Sequence, residues 1–92
     1  MKTYSFVIAY DIADAKRLRK VAKALEKVAL RIQNSIFLYK DTTKEELQNI
    51  VEILQKIIDN EKDDVRIYKA NLQKSFHLQS GIDLQFPSII KG

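Results

Sequence analysis

A chain of 92 residues has room for one domain, and at that length folding hides only about 60–65% of the unfolded surface, so a partner subunit would add stability. The absence of Cys excludes disulfides, thiolate metal sites and cysteine nucleophiles, and it suits a reducing cytoplasm, where the chain is expected. The formal charge of +4 is uneven: residues 1–40 carry nine Lys/Arg against three acids, and residues 41–92 carry seven against nine. Such asymmetry predicts one basic surface, suited to a polyanion or an acidic partner.

Residues 1–8 lack the layout of a signal peptide, because the apolar run ends at Asp11. No apolar stretch approaches the ~20 residues that span a bilayer, so no membrane partner is expected.

Residues 3–10 are β-branched and aromatic and read as a central strand buried on both faces. Asp14 is a good N-cap for a helix whose apolar stripe runs through Leu18, Val21, Ala22, Leu25, Val28 and Ala29. Residues 31–40 return to strand chemistry, either as one strand or as a tight hairpin turning at Gln33-Asn34-Ser35. Periodicity alone leaves both open. Thr43 and Glu46 form a capping box, opening a second helix with Leu47, Ile50, Val51, Leu54, Ile57 and Ile58 on one face. Residues 59–64 read as a loop and Val65-Arg66-Ile67-Tyr68 as a strand.

The tail alternates at Phe76 and Leu78, and again at Ile82, Leu84 and Phe86 before Pro87. Residues 1–70 complete a core by themselves, so a strand-containing tail over 71–92 has an outlet in pairing with another protomer's sheet edge. The element order predicts an α+β, ferredoxin-like βαββαβ sandwich with both helices on one sheet face. A second protomer's sheet is the economical cover for the other face, giving a homodimer packed sheet to sheet.

Asp11 projects at a strand's C-terminal edge beside a helix N-terminus, where carboxylates often bind ligands or metals in α/β layouts, although a turn-capping role suits the same place. One carboxylate is a poor Mg²⁺ site, but a two-fold axis could bring two copies together. Lys16, Lys20, Lys23 and Lys27 stack along the first helix with Arg17 and Arg19 beside them, offset in residues 15–30 only by Glu26. That surface complements a phosphate backbone and would bind it without sequence preference. Arg31, Gln33, Ser35 and Phe37 share a face if the segment is a single strand. Arg31 would then fork onto a phosphate and Phe37 would fill a core or an interface. Tyr10 is a phosphate donor or a buried sheet tyrosine. His77 has no histidine or cysteine companion and reads as surface or interface. Asp63-Asp64 reads as loop solvation.

Tyr10-Asp11-Ile12, Lys16-Arg17-Leu18-Arg19-Lys20-Val21, Arg31-Ile32-Gln33-Asn34-Ser35-Ile36-Phe37 and Val65-Arg66-Ile67-Tyr68 together resemble one family. It is the family of small CRISPR-associated adaptation proteins, the CRISPR-associated endoribonucleases. The resemblance covers residues 4–69 in order. It implies a ferredoxin-like homodimer with a tight hairpin across residues 31–40 and a C-terminal strand added to the partner's sheet. It further implies a divalent-ion-dependent phosphodiesterase acting on RNA or DNA, with Asp11 of each copy facing a shared Mg²⁺ or Mn²⁺. The family's basic and polar positions fall on Arg17, Arg19, Arg31 and Ser35, with Phe37 behind them. In spacer acquisition, the family's dimer bridges two dimers of the CRISPR integrase. A non-catalytic scaffold for that integrase and a toxin-like ribonuclease of the same fold are the alternatives.

Overall fold

The computed structural model describes residues 2–70 and 88–91. The first strand, β1 (Tyr4–Asp11), leads into helix α1 (Ala15–Glu26), the strands β2 (Leu30–Gln33) and β3 (Ile36–Thr42), helix α2 (Lys44–Ile57) and strand β4 (Asp64–Ala70). A fifth strand, β5 (Ser88–Lys91), follows. Both helices begin where the capping chemistry places them. The Asp14 side chain accepts the Arg17 N–H at 3.0 Å. Thr43 accepts the Glu46 N–H at 3.1 Å, and the Glu46 carboxylate accepts the Thr43 N–H at 3.0 Å. Reciprocal capping satisfies two of the donors that a helix N-terminus leaves free.

The strands form one antiparallel sheet in the order β2-β3-β1-β4-β5. Its first four strands and two helices are the expected ferredoxin-like sandwich. Side chains alternate across the sheet, so Phe6, Ile8 and Tyr10 of β1, Phe37 and Tyr39 of β3, and Val65 and Ile67 of β4 share the helix side. Val21 and Leu25 of α1, and Leu47, Ile50, Val51 and Leu54 of α2, close over them. Each fully buried side chain of this size contributes roughly 1.5–3 kcal/mol.

The alternate positions, among them Val7, Leu38, Asp11, Asp64, Arg66 and Tyr68, lie on the other face of the sheet. Val7 and Leu38 are register partners there, outside the helix-side cluster, yet 0% and 8% exposed. The β1–β3 register slips between Tyr4 and Phe6, where Asp41 takes a positive φ of 51° and its N–H donates to Ser5 Oγ at 3.3 Å. Asp tolerates that left-handed backbone better than most residues, which is how the bulge closes.

The extent of the first helix is corrected, and the open choice over residues 31–40 is decided for the hairpin that the resemblance implies. Helix α1 stops at Glu26, so Val28 and Ala29 lie beyond it, their N–H groups both donating to the Leu25 carbonyl at 3.1 and 2.8 Å. Leu18 and Val28 are exposed, and Val21 and Leu25 alone are buried on this helix. Residues 31–40 are a hairpin turning at Asn34 and Ser35, two residue types that suit tight turns. The described part of the tail, β5, pairs antiparallel with β4 of its own chain, Arg66 opposite Lys91 and Tyr68 opposite Ser88. That pairing covers the row of N–H and C=O groups that β4 would otherwise leave unpaired. The alternating segments 76–79 and 82–86, with His77, lie outside the described residues.

Candidate metal and nucleic-acid site

The end of β1 carries the carboxylate. Asp11 is exposed and, in the antiparallel register, stands opposite Asp64, the first residue of β4. Two like charges directly across a strand pair destabilise it unless a cation intervenes. Arg66, two residues along the same face, supplies one: its Nε donates to Asp64 Oδ2 at 2.8 Å. One chain therefore offers Asp11 with both oxygens uncommitted among the described residues, and Asp64 with one oxygen already engaged. No group of three or more metal-ligating side chains converges among the described residues. Mg²⁺ and Mn²⁺ take oxygen donors, and Mg²⁺ commonly uses one or two carboxylates with waters and substrate phosphates. The residues present thus fit such an ion as a partial, carboxylate-only donor set.

Just past Asp11 the turn is held from below. Asp63 accepts the Ala13 N–H at 2.9 Å and the Asp59 N–H at 2.8 Å. It also accepts both arms of the Arg17 fork, Nε at 2.7 Å and Nη2 at 3.1 Å. The Asp63 side chain has 0% exposure, against 25% for Arg17. This guanidinium, together with the two backbone donors, holds the Asp63 carboxyl far below the usual carboxylate range despite its burial. Asp63 is thus a buried anchor and not a solvated loop residue. Arg17, expected on the nucleic-acid surface, is clasped beneath it.

The rest of the α1 cations behave as the sequence suggests. Lys16, Arg19, Lys20 and Lys23 are exposed and line one shallow depression on the helix. None of them takes part in an ion pair among the described residues. Their long side chains are therefore available to a polyanion.

Arg31 forms a separate cluster. Its guanidinium lies 5.1 Å from the centre of the Phe37 ring, its register partner across the β2–β3 hairpin, and Nη2 meets Glu26 Oε2 at 3.4 Å. Phe37 stacks on Tyr10 with ring centres 6.1 Å apart. Burial pushes the Tyr10 phenol up, an effect partly offset by the charge and hydrogen bond of Arg31. Two open alternatives are decided here in favour of burial. Phe37 is 0% exposed within the helix-side core, with no surface left for an interface, and Tyr10 is 6% exposed with its hydroxyl near Arg31 instead of open to a phosphate. Ser35 is half-buried in the hairpin turn, where its carbonyl accepts the Tyr10 N–H at 3.0 Å.

Sequence reasoning missed Asp63, Asp64 and Arg66. The signal was available in the topology: antiparallel β1 and β4 bring the end of one to the start of the other, so an acid closing β1 meets the acids opening β4.

Residues 4–77 match the family model described as CRISPR associated protein Cas2. A curated relative, the CRISPR-associated endonuclease Cas2 of Halalkalibacterium halodurans, is 38% identical over an alignment covering 90% of this chain and 96% of that protein. The CRISPR-associated endoribonuclease Cas2 1 of Nitrosomonas europaea is 35% identical over 63 residues, which span 68% of this chain but only 59% of that protein. Among solved structures, Streptococcus pyogenes Cas2 superposes with a TM-score of 0.70 at 30% identity, covering 80% of this chain and 98% of that one. Sequence and fold agree, and the chain belongs to the CRISPR-associated protein Cas2 family.

Proposed function

We propose that this chain acts in CRISPR adaptation as a homodimer, packed sheet to sheet, that binds RNA or DNA and cleaves phosphodiester bonds with a divalent ion held by Asp11 of each copy. The observation that carries this reading is the placement of Asp11: exposed, at the end of β1, on the sheet face that the helices leave uncovered. A two-fold axis through that face would add a second Asp11 to the partial donor set described above. The names of the relatives, endonuclease and endoribonuclease, support the same chemistry.

Mg²⁺ or Mn²⁺ bound there supplies charge stabilisation at the phosphate and lowers the pKa of a bound water. The chain's own part is to present carboxylate oxygens to the ion and cations to the strand. Arg66 neutralises Asp64 and so lets two carboxylates stand side by side. The α1 row of Lys16, Arg19, Lys20 and Lys23 holds the sugar-phosphate backbone. Cleavage of labelled RNA and DNA by wild type and Asp11→Ala tests the reading. Cleavage that depends on added Mg²⁺ and disappears in Asp11→Ala, with the dimer intact, is expected; equal cleavage by the purified variant contradicts it.

A second reading, a non-catalytic scaffold that bridges CRISPR integrase dimers, is favoured by one specific observation. Lys16, Arg19, Lys20 and Lys23 of α1 are free of ion pairs among the described residues and need no metal to hold a duplex. Duplex binding that persists in EDTA and is weakened by Lys20→Glu with Lys23→Glu is its signature.

A further inference from the structure

The contact beneath the β1–α1 turn is used by neither metal binding nor nucleic-acid binding. Its donors come from three separate places: Ala13 from the turn after Asp11, Arg17 from the first turn of α1, and Asp59 from the segment after α2. All converge on Asp63, and the next residue, Asp64, is the register partner of Asp11. One buried carboxylate therefore fixes the end of β1 and the start of β4 together. A fork–fork pair of this kind also fixes orientation, since both N–H arms must align with both oxygens.

We propose that Arg17 and Asp63 are a positioning pair for Asp11, and that Arg17 is committed to this carboxylate and not to a phosphate. The pair keeps the turn at Ala13 closed, and so keeps Asp11 in register with Asp64 at the sheet edge. This inference rests on reading Asp11 as the functional carboxylate. A role for Arg17 on the phosphate backbone would require its guanidinium to leave a partner whose side chain has 0% exposure, stranding a buried charge.

The test compares Asp63→Asn, Arg17→Met and Arg19→Met with Leu54→Ala, a core variant that lowers stability away from the turn. Amide exchange at Ala13 is expected to quicken at least about tenfold in Asp63→Asn and Arg17→Met, beyond any rise in Leu54→Ala, because breaking the fork releases the side chain whose oxygen the Ala13 N–H needs in place. The salt slope of binding to a random-sequence duplex should stay at the wild-type value in Arg17→Met and fall by about one in Arg19→Met. Mn²⁺ binding followed by spin resonance should weaken several-fold in Asp63→Asn and hold in Leu54→Ala. An Ala13 rise matched by Leu54→Ala, or a salt slope lowered equally by Arg17→Met and Arg19→Met, overturns the proposal. A wild-type chain that takes up no Mn²⁺ removes the metal reading instead, and the exchange rates and salt slopes then still decide the pair.

Discussion

Asp63 lies under the β1–α1 turn with no part of its side chain exposed, whereas Asp64, the next residue, stands 44% exposed and in register with Asp11. The inner carboxylate is surrounded by donors of its own chain: two backbone N–H groups and an arginine fork. Of the outer ones, Asp64 has a single guanidinium, that of Arg66, on one oxygen. Identical chemistry is thus divided by a one-residue alternation. One position is satisfied and structural; the other leaves lone pairs open to solvent. The same division separates Arg17 from Arg19, two residues apart on α1, one clasped by Asp63 and the other open to solvent.

If that division is real, substitutions on the two sides should fail in different ways. The largest effect belongs to Asp11→Ala, which is expected to lower metal-dependent cleavage roughly a thousandfold, since a metal supplies several kcal/mol of charge stabilisation. Its thermal midpoint should match wild type, because the side chain is exposed and makes no contact the fold needs. Asp63→Ala should do the reverse, lowering folding stability in a urea titration by removing the acceptor shared by the Arg17 fork and the Ala13 and Asp59 N–H groups.

Acid sharpens the contrast. A carboxyl held below its ordinary pKa in the folded chain contributes stability that is full above the ordinary value near ~4 and is lost as pH falls below it. Asp63 is such a group. The acid limb of the stability curve should therefore flatten in Asp63→Asn and stay unchanged in Asp11→Asn. Reversing two exposed cations, Lys20→Glu with Lys23→Glu, should weaken duplex binding about tenfold or more at physiological salt and lower the salt slope by about two, with unfolding unaffected. The smallest effect is expected of Thr43→Ala, about 1 kcal/mol from the lost cap, with cleavage and binding at wild-type levels.

Local signals were legible in the chain and long-range partners were not. Asp14, Thr43 and Glu46 marked both helix starts because caps act over three residues. The apolar face of α2 was legible from spacing alone, from Leu47 to Ile57, with Ile58 as the residue that ends the helix. On α1 the same spacing overran, because nothing in Lys27, Val28 and Ala29 opposes a helix and only the start of β2 at Leu30 ends it. Asp11 was recognisable from its place at a strand end. Its neighbour Asp64 depends on a strand pairing fifty-three positions away in sequence, and the Arg17–Asp63 pair spans forty-six. Tyr10 and Phe37 looked available because aromatics serve cores and bases equally well, and only the hairpin turns them inward against each other.

The shared carboxylate pair is the central claim, and mixed dimers test it most directly. Wild type and Asp11→Ala are mixed in equal amounts, allowed to exchange subunits fully, and assayed for Mg²⁺-dependent cleavage. A site that needs Asp11 from both copies leaves only the wild-type homodimers active, so the mixture should retain about one quarter of the wild-type activity at the same total protein. Retention of about one half would mean that each chain works alone, and would contradict the two-fold site.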